Sequence, residues 1–282
     1  IDAVADNFTG VNGFTGGDAG DATGNDTLNG VAVDDNDLNI SITNDGGITG
    51  VSIDANGIIS VPAGTAAGTY NVVYQICEKA YPGNCDTTAA TITVNASVIA
   101  ANDDTAPADL SSVNGYVGGN AGDVTANDTL NGTAVNDADI NITIFDDDGL
   151  TSVSIATDGT LSVPAGTAAG TYNVVYQICE KLNTSNCDTA TAVVIVDAPA
   201  IVANDDATPA DLSAVNGFTG GSAGDVTNND TLNGAAVNDT EIDITVTDND
   251  GLAGVTIAAD GTLSVPAGTA AGTYNVVYQI CE

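Results

Sequence analysis

Histidine, arginine, tryptophan and methionine are absent from the 282 residues, and lysine occurs only at Lys79 and Lys181. Against these two cations stand 38 acidic residues, for a formal charge of −36. A nucleic-acid ligand needs basic groups to neutralise its phosphates, so nucleic acid is excluded as a partner. Attraction to an anionic membrane surface fails for the same reason. Without histidine the commonest general base and neutral metal ligand is missing. Ser–His and Cys–His nucleophile systems are therefore impossible within the chain. No apolar run approaches the roughly 20 residues that span a bilayer, so direct membrane insertion is not expected. A basic–apolar–small leader pattern and an initiator methionine are also missing, which reads as a mature or excised piece of something longer.

What is present is a chain able to fold. Apolar residues make up 43% and aromatics only 4%, so the expected cores are small and aliphatic. The phrase NDTLNG ends at Gly30, Gly132 and Gly234, and YNVVYQICE opens at Tyr70, Tyr172 and Tyr274. Each recurs at a spacing of 102 residues. A unit of about 100 residues is the size of an independently folding domain rather than of a solenoid repeat. The expected divisions are 1–98, 99–200 and 201–282, the last lacking its final strand.

Within one copy the apolar period is two. Ile140, Ile142 and Ile144 alternate with Asn141, Thr143 and Phe145, and Val153 and Ile155 with Ser154; Leu161 and Val163 follow the Asp158-Gly159 turn signal. Tyr172, Val174, Tyr176 and Ile178 share one strand face, and Ala192, Val194 and Val196 another. With strands around Val124 and Val113 to Val117, about seven short strands are expected. That pattern predicts an all-β fold of tandem immunoglobulin-like antiparallel β-sandwich domains. The joints near 96–101 and 198–202 are short and lack a Gly/Ser run, which predicts an extended, semi-rigid rod. Tyr172 reads either as a tyrosine corner, its hydroxyl tied to the incoming loop, or as a plain core aromatic. The third copy stops after the strand carrying Cys281, which reads as a cut array or as a gap filled by a strand from another chain.

Cys77 and Cys85, and Cys179 and Cys187, lie at the ends of consecutive strands across a hairpin loop. Antiparallel neighbours come within disulfide reach, and two thiolates without histidine make a poor zinc site. Two hairpin disulfides and an oxidising, extracellular compartment are expected.

Asn and Asp cluster at repeated places. Hard oxygen ligands in loops are what calcium requires, and the candidate ligands near the joints are Asp103, Asp104, Asn127, Asp128, Asp205, Asp206, Asn229 and Asp230. The same residues also serve tight turns and solubility in salt. Paired carboxylates for glycoside hydrolysis would have to recur in every copy without aromatic platforms, so an enzyme is not expected and no catalytic residue is assigned.

The phrases ANDD, GDVTANDTLNG, DGTLSVPAGTAAGTYNVVYQICE and CDTATAVVIV resemble the tandem repeats of giant bacterial surface adhesins. The likeness is strongest to Bacteroidota-type repeats, including gliding-motility adhesins, and extends to cadherin-like and fibril-type repeats. It implies a cell-surface filament or stalk whose partners are neighbouring repeats of the same chain and other copies of the same fibre. It also implies calcium at the joint residues named above. Asp-Thr-Leu at 26–28, 128–130 and 230–232 resembles an O-glycosylation site of that phylum at Thr27, Thr129 and Thr231, or else a turn before a core leucine. A stalk that spaces a distal binding region is the expected role. A self-assembling filament subunit and a carbohydrate-binding module are the alternatives.

Overall fold

A computed structural model describes residues 1–282. Two compact units are present: Ile1–Val113 with Val117–Val196, and Asn114–Tyr116 with Asp197–Glu282. The chain is all-β apart from three short 3-10 turns at Asp35–Asp37, Asp137–Asp139 and Asp239–Glu241. Its architecture is that of tandem β-sandwiches.

The first unit holds copies 1 and 2, each with two facing sheets. In copy 1 the larger sheet runs Asp6–Asn12, Cys85–Asn95, Gly68–Glu78, Leu38–Asn44. The smaller runs Gly17–Asp21, Ile58–Val61, Ser52–Ile53. Copy 2 repeats this with Asp104–Thr105, Cys187–Asp197, Gly170–Glu180, Ile140–Asp146 opposite Gly119–Asp123, Thr160–Val163, Ser154–Ile155. The period-two faces meet as the sequence requires. Val174, Tyr176, Ile178, Ala192, Val194 and Val196 from one sheet pack on Leu161 and Val163 from the other.

Two details differ from expectation. In copies 1 and 2 the first strand runs parallel, not antiparallel, to the last: Asp6 pairs with Ala90, and Asp104 with Ala192. A chain that enters at the sheet edge and leaves at the same edge in the same direction gives no alternation signal for this. The strand expected at Val124 ends one residue earlier, at Asp123, and Val124 is a buried plug beyond it. Between Thr129–Leu130 and Thr133–Ala134 the chain reverses at Asn131-Gly132, both with positive φ (53° and 73°). That is the two-residue hairpin turn for which Asn-Gly is the preferred pair.

In the second unit Asp243–Asp248 pairs with Val277–Cys281 as a two-stranded sheet. The facing sheet is Gly221–Asp225, Thr262–Val265, Thr256–Ile257. Its core is smaller, built on Ala223, Val226 and Leu263, and Val276 and Tyr278 are only partly buried. Their counterparts Val174 and Tyr176 in copy 2 are fully enclosed beneath Cys187–Asp197.

Cys77 bonds Cys85, and Cys179 bonds Cys187, each across a Cα–Cα distance of 4.1 Å. Glu78 N donates to Asn84 O one residue further on, so the cysteines face each other at a non-hydrogen-bonded position, where opposed strands are closest. Cys281 is free and exposed. Replacing Cys179 and Cys187 together with serine is expected to lower the stability of copy 2 by about 2.5 kcal/mol, from the chain entropy of so short a loop. Urea unfolding of the oxidised chain and the double variant measures this. Equal midpoints would show that the staple contributes nothing.

Candidate functional site: the joint and the tyrosine clusters

The connection from copy 1 to copy 2 lies inside the first unit and is built around one carboxylate. Gly170–Glu180 ends at Glu180, which is completely enclosed. Its Oε1 accepts from Ser97 Oγ at 2.9 Å, and its Oε2 from Ser97 N at 3.3 Å, Asn183 Nδ2 at 3.0 Å and Asn186 Nδ2 at 2.9 Å. Burial alone would raise its pKa, but the hydrogen bonds from Asn183, Asn186 and Ser97 outweigh it and hold the carboxyl below its ordinary value. Ser97 is thereby fixed in the connection, and Asn186 Nδ2 also donates to its carbonyl at 2.9 Å.

A second bond set surrounds Asn131, whose hairpin turn aims its side chain at the same segment. Asn131 Oδ1 accepts from Val98 N at 3.0 Å and from Asn12 Nδ2 of copy 1 at 2.9 Å. Asn131 N donates to Val98 O at 2.7 Å. A third link is Ala67 N donating to Asn183 Oδ1 at 2.6 Å. Copy 1 carries Glu78 where copy 2 has Glu180, and Glu78 accepts only from Asn84 Nδ2 at 3.1 Å. Within the second unit the asparagine part recurs: Asn233 Oδ1 accepts from Ala200 N at 3.1 Å and Asn114 Nδ2 at 3.0 Å. The serine clamp does not recur, because Pro199 occupies the position equivalent to Ser97.

The tyrosines of the repeated phrase divide into two roles. Tyr70, Tyr172 and Tyr274 are tyrosine corners, donating to Ala66 O, Ala168 O and Ala270 O at 2.8, 2.9 and 3.0 Å. Four residues on, Tyr74, Tyr176 and Tyr278 point inward and meet paired carboxylates. The Tyr176 hydroxyl lies 2.7 Å from Val124 O, 3.0 Å from Asn102 O, and 3.1 and 3.2 Å from the two oxygens of Asp128. Asp104 faces the same group. It is fully buried, and neither of its oxygens has a hydrogen-bond partner. In copy 1 the Tyr74 hydroxyl meets Ala22 O at 2.6 Å, Asp6 Oδ2 at 3.0 Å and both Asp26 oxygens at 3.3 Å. In copy 3 Tyr278 meets Val226 O at 2.7 Å, Asp206 Oδ2 at 3.2 Å and Asp230 Oδ2 at 3.1 Å.

Burial raises the carboxyls of these pairs. Asp104 is pushed up to about 7, and Asp6, Asp128 and Asp206 to about 6; Asp26 and Asp230 are raised as well. In Asp6, Asp104 and Asp206 the charge of the partner carboxylate adds to the effect. The three hydroxyls are raised by burial and by the same carboxylates.

The eight residues expected to hold calcium fall into one set in copy 2 and one in copy 3, next to the strands Ile99–Ala100 and Ile201–Val202. Asp104 with Asp128, and Asp206 with Asp230, converge on a tyrosine inside a sandwich. Asp103 is exposed and accepts from Thr191 N at 2.8 Å. Asp205 is exposed too. Asn127 and Asn229 donate their amides to Asp103 O and Asp205 O at 3.1 and 3.2 Å, and so tie the first strand to the loop. A calcium ion needs six to eight oxygens around one open point. Here two carboxyls and two backbone carbonyls meet at the tyrosine hydroxyl. Thr27, Thr129 and Thr231 are half-buried on two-residue strands. Lys79 and Lys181 are exposed and donate to Asn36 O at 2.6 Å and to Asp137 O and Ala138 O at 3.0 and 2.8 Å, capping the 3-10 turns.

No protein-family model and no curated protein matches the chain. Among solved structures, the protocadherin gamma B2 extracellular cadherin domains 3–6 match with 12% identity over 86% of this chain and 63% of that one, at a TM-score of 0.27. Mouse cadherin-23 EC22–24 matches with 13% identity over 70% and 62%, at 0.28. Drosophila N-cadherin EC1–4 matches with 11% over 99% and 70%, at 0.28. The chain thus spans under two thirds of the first two. At such scores the fold assignment rests on the strand pairing itself.

Proposed function

We propose that this chain is a non-catalytic structural segment of an extracellular fibre or adhesin stalk of the bacterial surface type, in which each copy serves as a spacer domain. The domains of this reading are 1–98, 99–200 and 201–282. The observation that carries it is the connection between copies 1 and 2. A buried carboxylate, four asparagines and a serine are spent on fixing one domain to the next. Two disulfides suit an oxidising exterior. The charge of −36 keeps neighbouring fibres apart.

The test is location and length on intact cells. Antibody against the chain is expected to label filaments without permeabilisation, and deleting one 102-residue copy is expected to shorten the projection without changing what the cell adheres to. Label that needs permeabilisation, or adhesion lost with one copy, contradicts the reading.

A further inference from the structure

We propose that the outer face of the larger sheet of copy 2 is a contact surface for a second copy of this chain, two such faces packing sheet on sheet around Phe145, Val175, Val193 and Ile195. The inference is independent of the stalk reading, because association is measured on the purified chain in solution.

The ground is a set of differences between copies that share one fold. The extra residue of the bulge in the edge strand is threonine in copies 1 and 3. There Thr43 Oγ1 and Thr247 Oγ1 donate to the neighbouring strand, at Val73 O and Val277 O, each at 3.2 Å. Copy 2 has Phe145 at this place. It forgoes that bond and leaves a ring that is 71% exposed. On the central strands of copy 1, Thr91 Oγ1 donates to Asn71 Oδ1 at 2.9 Å, and Thr93 follows two residues on. Copy 2 has Val193 and Ile195 there. The core does not require these changes, since the inward residues of the same strand, Ala192, Val194 and Val196, already fill it.

The changed residues meet on one surface. Asn173 pairs with Val193 and Val175 with Thr191, so Val175 and Val193 are diagonal neighbours about 7–8 Å apart. Asp146 pairs with Val175, and Phe145 is the extra residue beside it. Ile195 lies two residues beyond Val193 and so on the same side of its strand. Val175, Val193 and Ile195 are half-buried. An apolar patch left open to water in this way marks a contact site.

Charge selects the occupant. The outward positions of 141–145, 171–177 and 189–195 carry no charge, in a chain with 38 acidic residues. A cationic partner finds no complement on this face. Two chains of charge −36, by contrast, meet here without opposing carboxylates, and Asp146 and Asp148 lie only at one end of the face. Three strands at about 4.8 Å and seven residues at about 3.4 Å give about 350 Å² of sheet per chain. Side chains roughly double that as accessible surface, so two faces bury close to the lower bound of about 1,200 Å² for a specific complex. The dimer is therefore weak, and repulsion between the chains opposes it until salt screens their charge.

The experiment is sedimentation velocity of the full chain in a Cys281→Ser background, which removes crosslinking through the exposed thiol. Samples span about 10 to 500 µM in about 0.1 and 1 M sodium chloride, between which the screening length falls from about 10 to about 3 Å. Monomer–dimer exchange is expected, with a dissociation constant about tenfold lower at the higher salt. The triple variant Phe145→Thr, Val193→Thr, Ile195→Thr, which carries the residues of copy 1, is expected to stay monomeric while keeping the far-ultraviolet spectrum of the parent chain. A parent chain that is monomeric at every concentration and salt overturns the proposal and leaves the face to a different partner. A folded variant that dimerises as well as the parent overturns it too. Should the triple variant not fold, Phe145→Thr alone decides, because copies 1 and 3 both fold with threonine at that place. A dissociation constant raised about tenfold supports the proposal, and an unchanged one overturns it.

Discussion

Replacing Glu180 with alanine is expected to destabilise copy 2 by about 3 kcal/mol and to release the connection to copy 1. Four hydrogen bonds from Ser97, Asn183 and Asn186 end on this carboxylate. A bond to a charged group contributes about 1.5–3 kcal/mol, and buried donors left without an acceptor add their own penalty. The sum is not additive, because the four donors share one acceptor group. Glu78→Ala is the internal control: the same residue in the same repeated phrase holds only Asn84, and its loss is expected to cost under about 1 kcal/mol. Urea unfolding gives the energies. Amide hydrogen exchange at Ser97 and Val98 reports the connection, and both amides are expected to lose protection in Glu180→Ala alone. Similar effects of the two substitutions would mean that Glu180 acts within its own domain.

Tyr176→Phe is expected to cost about 2 kcal/mol at pH 8, and Tyr172→Phe about 1 kcal/mol. The two hydroxyls differ in what they leave behind. Tyr172 gives up one bond to Ala168 O in a corner that water can reach. Tyr176 removes the hydroxyl donor from an enclosure holding two carbonyls and two carboxyls. At pH 5, where a carboxyl carries its own hydrogen, the Tyr176 deficit is expected to shrink while the Tyr172 deficit stays constant. Urea midpoints of both variants at the two pH values measure this, and a Tyr176 deficit independent of pH would contradict the role of the raised carboxyls.

The sheets were legible because alternation survives in every long strand: Ile140, Ile142 and Ile144, and Val174, Tyr176 and Ile178, lie on the faces their period assigns. The cysteine spacing likewise identified the two ends of a hairpin. The first strand was less legible, since a two-residue parallel pairing such as Asp104–Thr105 carries no period. The joint was hidden for a different reason. Repetition draws attention to what the copies share, whereas the clamp depends on where they differ: Asn183 stands where copy 1 has Tyr81, and Ser97 where copy 3 has Pro199. Those differences were the available signal. The acidic pairs were half visible. Asp104, Asp128, Asp206 and Asp230 stood out as oxygen ligands, but the tyrosine between them lay 48 residues or more away in sequence, and only folding brings it there.

The central claim is that copies 1 and 2 are separate sandwiches held in one fixed relation by hydrogen bonds. It is tested most directly by a spin-label distance distribution between Cys substituted at the exposed positions Ser41 and Thr143, in a Cys281→Ser background containing a calcium chelator. A single narrow distance, unchanged by added calcium and broadened by Glu180→Ala, is the predicted result. A broad distribution that narrows only when calcium is supplied would contradict the claim.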